Sequence, residues 1–154
     1  MRTPQWIKKL GGHAGELYVA AELSKRGIPN ALLPENFSDD DILIGDKAGT
    51  KTGYIQVKAC HPDRSSTFIL KGTNETWAKD DSDNHFVVFV WLGSPHKSES
   101  PRYWIATKKD VGLACENHGA HGTTNWERRF TVKQLCDAGW ENHWILFDKY
   151  KPLD

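Results

Sequence analysis

The run HFVVFVWL, residues 85–92, is the most hydrophobic stretch of the chain. Strand side chains alternate between two faces, so an unbroken apolar run has both faces to bury. It reads as the central strand of a sheet covered on each side, and this points to a layered α/β architecture. The 154 residues suit a single domain, 1–154, of that kind.

The rest of the chain supplies the layers. HAGELYVAAELSKR predicts a helix over about residues 13–26, stopped by Gly27. NALLP is a short strand, ENFSDDD a turn and ILIG a second strand. The loop DKAGTKTG then returns the chain into YIQVKA, as in a hairpin. STFILKG is a further strand, and NETWAKDD a short helix capped by Thr73 or Asn74. After the central strand come RYWIAT (strand), KKDVGLACENH (helix), GAHGTTN (loop), TVKQLCDAG (helix) and HWILFD, read as a last strand. The sheet these elements imply is mixed.

Lysine plus arginine equals aspartate plus glutamate at 20 each, which argues against an indiscriminate polyanion coat but leaves room for a local basic patch. The three cysteines, Cys60, Cys115 and Cys136, are far apart and form no CxxC, so neither a disulfide framework nor a structural zinc site is expected. The start MRTPQWIKKLGG has no apolar signal core, and no run approaches the ~18 apolar residues of a membrane span. A cytoplasmic protein is the expectation.

Chemistry concentrates in three places. In GYIQVKAC, residues 53–60, Gln56 and Lys58 share one face of a strand whose other face carries Ile55 and Val57. On the first helix Glu16 falls in the apolar arc with Leu10, Ala14, Leu17, Val19, Ala20, Ala21 and Leu23. There it either profits from the helix dipole or points at a metal or a lysine beside the sheet. Asp41 stands where the chain enters ILI, next to the turn residues Asp39 and Asp40. A hairpin would bring Asp41 beside the Gln56/Lys58 face. Such a cluster suits a hard divalent cation, with Asp41 as main ligand, the Gln56 side-chain oxygen and Val57 carbonyl beside it, and Lys58 acting on water or phosphate.

GELYVAAELSKRGI, DDILIG and GYIQVKAC together resemble the PD-(D/E)XK nuclease superfamily, the group of restriction endonucleases, Holliday-junction resolvases and some homing endonucleases. The resemblance covers roughly residues 12–60. It implies a restriction endonuclease-like αβββαβ core with a mixed central sheet flanked by helices, and a Mg²⁺-dependent (or Mn²⁺-dependent) endonuclease acting on DNA, commonly as a homodimer. It makes Glu16 the helical acid, Asp41 the strand-entry aspartate, Gln56 the second motif position and Lys58 the lysine. The departure is Gln56, where the family carries an acid. Its amide oxygen remains a metal ligand, but one negative charge is lost, and the alternative is a catalytically inactive domain that binds DNA or a protein.

For nucleic acid, HGAHGTTNWERRF is the most suggestive segment. It offers His121, Asn125, Trp126, Arg128 and Arg129, groups able to contact phosphates or stack on bases. The competing reading is a loop pinned in the core by Trp126. His118 and His121 lack a third partner for a metal, Cys60 reads as a small core residue, and His61 as a strand-end histidine able to touch a phosphate.

Overall fold

The protein was analysed as a computed structural model, which describes residues 2–35, 39–72, 83–117 and 126–152, with backbone only at 116, 117 and 126. The expected helix at NETWAKDD lies outside the described residues, as do His118, His121 and Asn125.

Helix α1, Gln5–Lys25, is followed by β1 (Asn30–Leu32), β2 (Ile42–Gly45), β3 (Thr52–Cys60), β4 (Thr67–Gly72), β5 (His85–Trp91) and β6 (Arg102–Thr107). Helix α2 (Lys108–Asn117), β7 (Trp126–Thr131), helix α3 (Val132–Asp137) and a closing 3₁₀ segment, Trp144–Tyr150, complete the chain. Five strands form a mixed sheet in the order β1-β2-β3-β5-β6. β1, β2 and β3 run as an antiparallel meander, β5 lies parallel to β3, and β6 is antiparallel to β5. This is the mixed α/β architecture expected from the sequence, with helices flanking the sheet.

β5 is buried on both faces. Phe86, Val88 and Val90 join α1 residues Val19 and Leu23, strand residues Ile42, Ile44 and Ile55, and Phe147 of the 3₁₀ segment. Val87 and Phe89 join the opposite core with Phe68, Leu70, Trp104, Val111, Phe130 and Leu135. The alternation of one strand therefore divides the molecule into two cores, one on each side of the sheet.

Four expectations are corrected. α1 begins eight residues earlier than predicted, running straight through Gly11 and Gly12. Its buried stripe is Gly15, Val19 and Leu23, while Leu10 and Leu17 are exposed. β4 is a strand, but it pairs with β7 in a separate two-stranded sheet. WERRF is part of β7 rather than a loop, and HWILFD contributes to a 3₁₀ helix rather than a strand. At the C-terminus of α1 the chain turns at Gly27, which adopts φ +78°, and the Ile28 N–H donates to the Leu23 carbonyl. α3 is fixed by a capping box between Thr131 and Gln134.

α1 sits close on β3 because of Gly15. A Cβ there would stand 2.7 Å from the Ala59 Cβ and 3.4 Å from a Val57 methyl. Glycine thus sets the helix–sheet distance and, one residue later, the depth of Glu16. We expect Gly15→Ala to destabilise the protein by about 1–3 kcal/mol, read as a lower urea midpoint. Adding Ala59→Gly, which vacates the same space, should recover part of that loss; no recovery would mean that the close approach is not the cause.

Candidate active site

β2 begins at Ile42, paired with Ile55, whereas β3 continues past that pair to Cys60. Ile42 pairs with Ile55, so the next step of the antiparallel register sets Asp41 opposite Gln56. Beyond that point β3 loses its β2 neighbour. Asp41 closes the end of the ladder: its N–H donates to the Ile55 carbonyl at 2.8 Å, and its carbonyl accepts from Leu33 N–H at 2.9 Å. Its carboxylate then replaces the missing strand by accepting the Val57 N–H at 2.7 Å. A charge-assisted bond of this kind contributes about 1.5–3 kcal/mol.

Among the three consecutive aspartates the roles differ. Asp40 turns toward His85, its Oδ1 4.0 Å from Nδ1. Asp39 and Asp41 both attract Lys58. Asp41 touches both the β3 backbone and the helical acid.

Glu16, half-buried on α1, shares a hydrogen bond with Asp41. Burial, repulsion from Asp41, that hydrogen bond and repulsion from Glu35 together push its pKa up to about 7. Burial also raises the Asp41 pKa, against the opposing pull of the Val57 N–H, the Glu16 hydrogen bond and Lys58. Below about pH 7 Glu16 therefore keeps its proton, which the hydrogen bond shares with Asp41. Lys58 is largely buried, which lowers its pKa, while Asp41 and Asp39 hold it charged and Lys71 opposes them.

Of the residues singled out from the sequence, the fold gathers Glu16, Asp41, Val57 and Lys58, with Gln56 across the register from Asp41. They do not share one pocket, as the sequence suggested. α1 packs on the Ile55/Val57/Ala59 face of β3, so Gln56 and Lys58 belong to the other face. Asp41, at the fork between β2 and β3, is the group that interacts with both sides. A cleft of about 650 Å³ on one side of α1 contains Glu16, Asp41, Asp40 and Glu35. A second, of about 430 Å³, contains Lys58. Gln56 lines neither.

Arg129 lines the Lys58 cleft, where its guanidinium also pairs with Glu127 at 3.2 Å. Arg128, half-buried, donates to the Glu127 carbonyl. Trp126 is placed by its backbone in β7. Lys8 lines the same cleft as Lys58, and so does Arg64, which sequence reasoning missed. Arg64 is a single basic residue in the connection after β3, with no basic neighbour in the sequence to mark it. Among the described residues no group of three or more His, Cys, Asp or Glu is set to hold a metal. The oxygen donors at hand are the two coupled carboxyls and the amide across from them.

The shared proton has a measurable consequence. A carboxyl whose folded pKa lies above its usual 4.5 contributes stability below that value and loses it as pH rises toward 7. Glu16→Gln keeps a donor for Asp41 and removes the ionisation. It should match the wild type at pH 4.5 and exceed it at pH 8 by about 1–2 kcal/mol, allowing for solvent screening. Thermal melts across that range check the sign; equal curves at pH 8 would contradict a shared proton.

No helix among the described residues is long and apolar enough to cross a membrane. No protein-family model and no curated protein matches the chain. The solved structures similar to the chain at low identity include a homing endonuclease and a Holliday junction resolvase. The bacterial homing endonuclease I-Ssp6803I is 16% identical, with a TM-score of 0.49 over 90% of each chain. Hjc, a Holliday junction resolvase from Archaeoglobus fulgidus, is 16% identical, with a TM-score of 0.43 over 83% of this chain and 95% of its own.

Proposed function

We propose that the protein is a divalent-metal-dependent endonuclease that hydrolyses DNA phosphodiester bonds. The observation that carries this reading is the proton-sharing pair Glu16–Asp41 at the open end of the β2–β3 ladder, with Lys58 within electrostatic reach of Asp41. Two half-buried carboxyls that repel each other are relieved by a cation as readily as by a proton. The donor set suits Mg²⁺ or Mn²⁺, which take one or two carboxylates and keep waters for their remaining positions. Asp41 and Glu16 would hold the ion, with the Gln56 oxygen and the Val57 carbonyl as further ligands. When bound, the metal supplies Lewis-acid polarisation of the phosphate and a more acidic water.

The chain's own groups have separable tasks. Asp41, locked to the Val57 N–H, fixes where the charge sits. Lys58 steadies negative charge developing on the phosphate, or orients the attacking water, and its lowered pKa suits it to exchange a proton. Glu16 exchanges its proton near neutral pH, so metal binding should release a proton and weaken below pH 7. A homodimer is the assembly that the sequence resemblance implies, and the exposed Trp6, Leu10 and Leu17 of α1 offer apolar surface for it.

A second reading has one observation in its favour. Gln56 stands where the resembling family carries an acid, and it lines neither cleft. A domain that keeps the fold and binds nucleic acid without cutting it would look like this.

Cleavage of plasmid, single-stranded and four-way-junction DNA with Mg²⁺, Mn²⁺ or EDTA separates the two. Asp41→Asn retains an acceptor for Val57 N–H, so it should fold normally. Lys58→Met removes a buried charge and should be tolerated or stabilising. Both should lower metal-dependent cleavage at least about a hundredfold. Wild-type protein that binds these DNAs but leaves them intact in every metal would establish the silent domain instead.

A further inference from the structure

The cleft that contains Lys58 differs in kind from the carboxylate cleft on the other side of α1. Lys8, Lys58, His61, Arg64 and Arg129 line it, and among the described residues no acid does. Two of these groups are already oriented. Arg64 Nη1 donates to the Ile7 carbonyl of α1 at 3.4 Å, tying the β3–β4 connection to the helix. His61 Nδ1 accepts the Asp63 N–H at 3.2 Å, which leaves Nε2 to carry the proton of the neutral ring and act as a donor. Cationic side chains from α1, β3, the following loop and β7 thus converge on one concave surface, in a chain whose formal net charge is zero. Phosphate oxygens are the ligands that such a set of donors recognises, and a row of them suits a polynucleotide backbone better than a single anion.

The boundary between the two clefts is α1 itself at Gly12, which lines both. A methyl group built on Gly12 meets no atom within 4 Å, and one on Gly11 reaches only the tip of Arg64 at 4.0 Å. Packing therefore does not demand glycine at either position, although glycine weakens a helix interior. What these residues leave is a bare length of helix backbone between the basic cleft and the Glu16–Asp41 pair.

We propose that the basic cleft is the track of the sugar–phosphate backbone of the cleaved strand, which crosses α1 over Gly11 and Gly12 to bring its scissile phosphate to Asp41. The proposal rests on the nuclease reading for the word "cleaved" and on the cleft alone for the path. Lys8, Arg64 and Arg129 hold phosphates on one side of the helix. Lys58 lines the same side, beside the carboxylate of Asp41 that attracts it.

Fluorescence anisotropy with labelled single-stranded, duplex and four-way-junction DNA, in EDTA at several NaCl concentrations, tests the path. The double variant Lys8→Ala/Arg129→Ala should bind at least about tenfold more weakly, and its log K against log[salt] slope should be shallower by about 1.5, two phosphate contacts' worth. Gly12→Leu should also weaken binding about tenfold while its melting temperature stays level or rises, because leucine favours the helix and its Cβ meets no atom within 4 Å. Unchanged affinity and slope in the double variant, or unchanged affinity in Gly12→Leu, overturns the track. Asp41→Asn separates this from the nuclease reading. If it abolishes cleavage while the double variant binds normally, the track is wrong and the nuclease stands. If it cleaves like the wild type while the double variant loses binding, the path stands and the assigned catalytic pair does not.

Discussion

The bond from Val57 N–H to the Asp41 carboxylate joins the architecture to the chemistry. β2 begins immediately after Asp41, and an acceptor is needed for the β3 backbone group that a longer β2 would have served. A side chain supplies it. The consequence is a carboxylate whose position is set by a sheet rather than by a loop. Glu16 meets it from the α1 side, and Lys58 attracts it from the other. Any ion or phosphate held there is referenced to the register of the hairpin.

That arrangement tolerates little movement of α1. Val19 and Leu23 anchor the helix in the core, but the separation is governed by Gly15 against Ala59. Had a side chain stood there, Glu16 would be lifted from Asp41, and the repulsion and hydrogen bond that raise its pKa would weaken together. The elevated pKa is thus a product of backbone packing: a glycine contributes to the electrostatics of a carboxyl one residue away.

Much of this was legible in the sequence where a period carried it. The apolar run of β5, the alternation of β3 and the Gly27 stop each have a local signature, and Glu16 was conspicuous as an acid at three and seven residues before Val19 and Leu23. Other features were hidden for physical reasons. Gly11 and Gly12 read as a break, because their helical state depends on neighbours rather than on propensity. β7 was missed because Arg128 shares the inward face with Phe130, so its pattern is not apolar–polar. The last element carried a signal that was misread: Trp144, Phe147 and Tyr150 are buried at spacings of three, the period of a 3₁₀ helix and not of a strand. The division of the site between two faces could not be read locally at all, since it depends on which face of β3 receives α1.

Net charge is similarly uninformative until the chain is folded. A balance of 20 against 20 suggests a surface with no preference for polyanions. Yet α1 separates a cleft in which four acids, Glu16, Glu35, Asp40 and Asp41, outnumber the bases Lys9 and His13 from one lined by Lys8, Lys58, His61, Arg64 and Arg129. Opposite charges set on two sides of one helix cancel in the sum and not in the field. Within a Debye length of about 8 Å at physiological salt, a ligand at either cleft responds to the nearer set. The acidic side then attracts a cation and the basic side an anion, and the two become most compatible when both are present, because each screens the repulsion the other would meet. A phosphodiester and a divalent metal would be such a pair, and the helix between the two clefts is bare of side chains at Gly11 and Gly12.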